Sequence, residues 1–168
     1  MSRGFVKESD QEDLPLIPPR AALPAGITNY VTPAGLRALE EERAELEATK
    51  AGLPTHHEAE HRRAVTVLDG KLALLQQRIV SARVIDPAGQ PPEEVRFGAT
   101  VTIRFSDTGQ EQTFQIVGVD EADVKARKIA FTAPLARVLT GLWLGESAPF
   151  RLGGRAREVE VLEIRYGG

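Results

Sequence analysis

Two runs of apolar residues, each spaced alternately three and four apart, constrain this chain more than any other feature. In the first, Leu36, Leu39, Arg43, Leu46, Lys50 and Leu53 fall on one helical stripe, with Glu40, Glu41, Glu42, Glu45 and Glu47 on the remaining turns. In the second, Val65, Leu68, Leu72, Leu75, Ile79 and Ala82 keep the same alternation between His56 and Arg83. Thr32 is placed to cap the first helix and Pro33 to occupy its first position, where a missing N–H costs nothing. Gly52 and Pro54 end it. Two stripes joined by so short a break, Gly-Leu-Pro-Thr, can cover one another only as an antiparallel hairpin. At about 1.5 Å per residue the second arm spans about 40 Å and the first about 30 Å, so His56 to Arg62 either project past the first helix or form an irregular tip.

The rest of the chain has a different period. Residues 87–94, PAGQPPEE, carry no apolar pattern and read as a linker. Beyond it, Val101, Ile103 and Phe105 alternate, followed by a turn at Ser106 to Gly109 and a second strand through Phe114 and Ile116, which makes a β-hairpin. Ala148 to Leu152 and Val159 to Tyr166 read as two further strands around Gly153-Gly154, with a short helix over Pro134 to Thr140. Phe97, Phe114, Phe131, Trp143 and Phe150 are the expected core anchors. Residues 1–30, with Pro15, Pro18, Pro19 and Pro24, lack any sustained period and read as a flexible arm. The expected fold class is α+β: arm 1–30, helical hairpin 31–86, linker 87–94 and a small β-rich domain 95–168 with one short helix.

Composition narrows the function classes. A chain of 168 residues with 42% hydrophobic and 27% charged residues is an ordinary globular chain of one or two domains. Its net charge of −3 excludes non-specific coating of nucleic acid by bulk charge. No cysteine is present, so there is no disulfide, thiolate metal site or cysteine nucleophile, which fits a cytoplasmic location. No apolar run is long enough to span a bilayer, and the N-terminus lacks a signal-peptide pattern.

Several spaced segments resemble the GreA/GreB transcription elongation factors. These are YVTPAGLRALEEERAEL and LDGKLALLQQRIVSARVID in the hairpin, then FGATVTIRF, FQIVGVDE, APLARVL and the spaced Gly145, Gly153 and Gly154. The likeness runs from about residue 30 to the end of the chain. It implies an FKBP-like C-terminal domain without isomerase activity, docking on bacterial RNA polymerase, and a hairpin entering the secondary channel. The chain would then be an accessory factor rather than an enzyme, act as a monomer, touch nucleic acid only indirectly within the elongation complex, and need no membrane. Asp120, Glu121, Pro134, Leu135, Ala136 and Arg137 match segments the family uses near its docking surface. Pro134 to Arg137 reads equally well as the plain start of a helix.

At the hairpin tip the sequence departs from that pattern. Cleavage-stimulating members carry an acidic pair that holds a second magnesium ion beside the polymerase active centre. Here Ala51-Gly52-Leu53-Pro54-Thr55 stands in that place, no carboxylate lies between Glu47 and Glu58, and the first arm is shorter by about two heptads. The expectation is a regulator with weak or no stimulation of transcript cleavage. All three histidines gather nearby in HHEAEH: His56, His57 and His61, with Glu58 and Glu60. His57 and His61, four apart, fit the zinc-protease pattern, but no histidine or cysteine exists outside this segment to complete a walled hydrolytic site, so no cofactor is expected beyond a loosely held divalent metal. The segment is otherwise a polar tip open to polymerase groups or nucleotide. Two further functions stay open: a regulator of another partner such as nucleoside diphosphate kinase, and a metal-binding hydrolase using HHEAEH.

Overall fold

The computed structural model describes residues 15–167. The expected arm falls partly outside that range, at residues 1–14. Ten elements follow in order: β1 (Tyr30–Val31), α1 (Pro33–Ala51), α2 (Glu58–Ser81), β2 (Arg83–Val84), β3 (Thr100–Phe105), β4 (Glu111–Val117), β5 (Lys128–Ala130), α3 (Pro134–Leu139), β6 (Ser147–Leu152) and β7 (Arg155–Arg165). Contacts divide the chain differently from the segments 1–30, 31–86, 87–94 and 95–168. One compact unit joins residues 15–20 to Leu39–Val80, and the other joins Ala21–Ala38 to residues 81–167. The first six residues of α1 therefore belong with the β-rich unit.

In the hairpin unit, Leu39, Leu68 and Leu75 are buried, as the stripe requires. The two basic interruptions of the first stripe each find a polar partner on α2. Arg43 donates to Gln76 at 3.1 Å and Lys50 pairs with Asp69 at 2.7 Å. A step from 43 to 50 along α1 is thus met by a step back from 76 to 69 along α2, which is the signature of antiparallel helices in heptad register. The same unit holds a strap the sequence pattern did not show: Ile17 lies over Gly70, and Arg20 grips Glu42 through two hydrogen bonds of 2.6 and 3.1 Å.

The β-rich unit is a five-stranded mixed sheet in the order β5-β4-β3-β7-β6. The expected β3–β4 hairpin is present, with Val101 opposite Phe114. In β3 the alternation is complete: Val101, Ile103 and Phe105 point into the core while Thr100, Thr102 and Arg104 stay half-exposed. The β6–β7 hairpin turns at Gly153-Gly154 as expected, but β7 begins at Arg155, four residues before Val159. The edge strand β5, parallel to β4, and the two-residue parallel ladder between β1 and β2 had no counterpart in the sequence pattern.

The core is more aliphatic than expected. Ile103, Ile116, Leu139, Val95, Val101, Val117, Val159 and Val161 are its largest wholly buried side chains in this unit. Phe114 and Phe150 are buried with them, whereas Phe97 and Phe131 only flank the core, and Trp143 is 54% exposed. At its start, residues 93–95 of the unit are tied to 142–144 by backbone bonds. Tyr166 locks the same place, accepting the Arg96 N–H at 2.8 Å and donating to the Glu94 carbonyl. Among the described residues, no helix is long and apolar enough to cross a membrane.

Candidate functional site

Heptad register determines the shape of the hairpin end. With Lys50 against Asp69, the last residue of α1, Ala51, comes level with Leu68, so Glu58–Val67 of α2 runs on past it for about 15 Å. Residues 52–57 climb beside this overhang as irregular chain. α1 closes with the Gly52 N–H on the Ala48 carbonyl at 3.1 Å, and Pro54 prevents continuation. α2 opens with the His61 N–H on the His57 carbonyl at 2.9 Å, and Glu58 and Glu60 sit in its first turn, where negative charge suits the helix dipole.

Leu53, Pro54, His56, His57, Glu60, His61 and Ala64 enclose a shallow cavity of about 230 Å3 at this end. His61 Nδ1 lies 3.0 Å from the Pro54 carbonyl. A carbonyl only accepts, so Nδ1 carries the proton and Nε2 holds the free lone pair of the neutral ring. The His56 and His57 rings are tilted against each other at 4.5 Å. His56, His57, Glu58 and Glu60 are exposed and His61 is half-buried. The structure thus gathers His56, His57, Glu60 and His61 around one cavity. Among the described residues no group of three or more His, Asp or Glu side chains is placed to hold a metal ion.

The residues expected near a docking surface have unlike surroundings. Glu121 turns inward: one carboxylate oxygen accepts the Thr32 hydroxyl at 2.5 Å and the other meets Lys128 Nζ at 3.3 Å. Thr32 in turn caps α1, accepting the Gly35 N–H at 2.9 Å. Glu121 therefore braces a helix start. Ala136 is wholly buried and Leu135 packs against the core, so of the α3 residues only Pro134 and Arg137 face outward. Asp120 is half-buried.

One feature beside Arg137 was absent from the sequence reading. Tyr30, Phe97 and Phe131 form a triangle with ring centroids 5.5–5.9 Å apart. With Arg137 and Thr140 they line an open cleft of about 370 Å3. Tyr30 reaches this place because β1 is held to β2, the Arg83 N–H donating to Asn29 and the Ile85 N–H to Val31 at 2.8 and 2.9 Å. Gly118 permits the approach, since a Cβ there would stand 2.6 Å from the Tyr30 carbonyl oxygen. Pairing of residues more than fifty positions apart leaves no local period, which is why the pattern around Tyr30 was silent.

Comparison with known proteins places this architecture. Residues 90–166 match the family described as Transcription elongation factor, GreA/GreB, C-term. The chain is 36% identical over 135 residues to Transcription elongation factor GreA of Acidiphilium cryptum (strain JF-5), a match covering 80% of this chain and 83% of that protein. It is 44% identical over 99 residues to Transcription elongation factor GreA of Hyphomonas neptunium (strain ATCC 15444), covering 59% of this chain and 63% of that protein. The solved structure of a prokaryotic transcription elongation factor GreA/GreB from Nitrosomonas europaea aligns with a TM-score of 0.41 at 22% identity, over 82% of this chain and 98% of that one. With a relative of 36% identity matched over 83% of its length, and the family's C-terminal pattern spanning the sheet and α3, the chain belongs to the GreA/GreB family of transcription elongation factors.

Proposed function

We propose that this protein is a regulator of transcription elongation that binds bacterial RNA polymerase through its β-rich unit and presents its hairpin end to the secondary channel, with weak or no stimulation of transcript cleavage. Family membership supports the partner. The observation that carries the reading of its action is the composition of the overhang. Leu53, Pro54, His56 and His57 stand on its flank, and the nearest carboxylates, Glu58 and Glu60, lie in the first turn of α2. Holding a catalytic magnesium takes hard oxygen donors converging on one point. Imidazoles favour softer transition metals, and among the described residues no group of three or more His, Asp or Glu side chains is placed to hold a metal ion. Such an end can occupy a channel or compete for it without supplying the second metal of hydrolysis.

The test combines purified protein, core polymerase and a backtracked complex with labelled RNA. Saturable binding with little added release of short RNA is the expected result. Robust cleavage in proportion to occupancy would reject the reading of the tip, and absence of binding would reject the partner.

A further inference from the structure

We infer that the acidic segment at residues 8–13 of this chain docks on the arginine-bearing face of the α2 overhang, bringing carboxylates to a hairpin end whose own connecting loop, residues 52–57, has none. The contact lies within one molecule, and it stands or falls independently of the polymerase reading.

The strap supplies the direction. Ile17 lies over Gly70, and three residues later Arg20 holds Glu42, which the Arg43–Gln76 contact puts level with Gln77. Three residues of strap therefore pass seven of helix, in the same direction as α2. A polyproline-like chain rising about 3.1 Å per residue passes two helical residues, at about 1.5 Å each, for every one of its own. The strap is thus extended, and Pro15, Pro18 and Pro19 hold it so.

Followed backwards, the same track leads onto the overhang. Arg63, Gly70 and Gln77 lie seven apart and share one face of α2. With Ile17 at Gly70, the two-to-one step brings Asp13 level with Arg62 and Arg63, and Asp10 level with His56 and His57. Leu14 stands before Pro15, and a residue before proline disfavours the helical region, so the extended course carries on to Asp13.

Charge selects the occupant. Residues 8–13 read Glu-Ser-Asp-Gln-Glu-Asp, four acids without a base. Opposite them stand the exposed Arg62 and Arg63, with His56, His57 and His61 toward the end of the hairpin. Glu58 and Glu60 are the opposing charges in the first turn of α2, and they centre the contact on the two arginines. Single exposed ion pairs are weak. Tethering changes the balance, because the strap holds these acids beside the arginines at a high effective concentration. A free anion, or the same segment of a second copy, arrives without that advantage. The segment is thereby a built-in competitor for any anionic surface that meets the hairpin end.

The chain has no cysteine, so Ser9→Cys in the full-length protein carries a single nitroxide. The amide NMR signals of Glu58 to Ala64 are expected to lose most of their intensity relative to the reduced label, while those of Leu74 to Ser81 keep theirs. Combining Arg62→Glu with Arg63→Glu should restore the lost signals, and both sites are exposed, so the fold is retained. Neutralising the segment by Glu8→Gln, Asp10→Asn, Glu12→Gln and Asp13→Asn should restore them with the helices untouched.

No loss at Glu58 to Ala64, an even loss along all of α2, or a loss that survives both sets of charge changes overturns the inference. Mixing nitroxide-bearing molecules with separate isotope-labelled ones identifies the source of the segment. Loss of signal in that mixture would mean that the acids reach a second copy, and would overturn the contact within one molecule. Intact signals in the mixture, with loss in the singly labelled protein, support it.

Discussion

Thr32 gives its hydroxyl proton to Glu121 at 2.5 Å while its oxygen accepts the Gly35 N–H at 2.9 Å, so one buried side chain both caps α1 and ties that cap to the β-rich unit. Ordinary caps face solvent, and water replaces them in part when they are removed. Here the residue is only 3% exposed, and its loss takes from the Glu121 carboxylate the hydroxyl donor that complements Lys128.

Thr32→Ala is accordingly expected to lower stability by about 2 kcal/mol, at the upper end for a cap, and Thr32→Ser to restore most of it. Urea unfolding of the three proteins checks this. A loss in the serine variant as large as in alanine would show that the methyl group rather than the hydroxyl matters.

Gly70 tests the strap. Alanine in a helix interior usually adds about 1 kcal/mol of stability over glycine. At Gly70, however, a Cβ would collide with Ile17 Cδ1 and Cγ1. Gly70→Ala is expected to release residues 15–20 while leaving the hairpin as stable as before or more so. Limited proteolysis should then cut within residues 15–20 of the variant faster than in the wild type, with no fall in melting temperature. Unchanged cleavage would mean that Ile17 does not depend on the notch.

Asp107 makes a pH prediction. Its carboxyl is held below the ordinary aspartate range, first by its hydrogen bonds from Arg157, which reaches it at 2.9–3.2 Å while lying 3.9 Å over the Phe105 ring. A depressed acid contributes stability that is present above its unfolded value, about 3.9, and is lost as pH falls through the lower folded value. Asp107→Asn should therefore be less stable than the wild type at neutral pH, and the gap should close as the solution is acidified below about pH 4. Urea midpoints at both ends of that range check it. A gap that persists at low pH would assign the contribution to packing instead of charge.

What the sequence disclosed follows from the range of each signal. The seam of Leu39, Leu68 and Leu75 repeats locally, so the hairpin and its cap at Thr32 were visible, as was the alternation of Val101, Ile103 and Phe105. Arg43 and Lys50 looked like faults in the stripe because their partners, Gln76 and Asp69, lie on the other helix. Residues defined by distant partners were hidden. Tyr30 becomes part of a cleft only through β2 and Gly118, and Glu121 became a brace only once Thr32 stood beside it. Large aromatic residues were a misleading guide to the core, since burial of Phe97, Phe131 and Trp143 gave way to smaller aliphatic side chains that fit between sheet and α3.

The Arg43–Gln76 and Lys50–Asp69 contacts also limit how such a protein can change its dimensions. Inserting one or two residues into either helix would rotate every seam position away from its counterpart. Only the addition or removal of a whole seven on both sides of the break preserves the match, and each such edit alters the hairpin by about 10 Å in a single step. Hairpin length is therefore quantised, and Glu58–Val67 is the remainder left when two arms of unequal length are laid side by side.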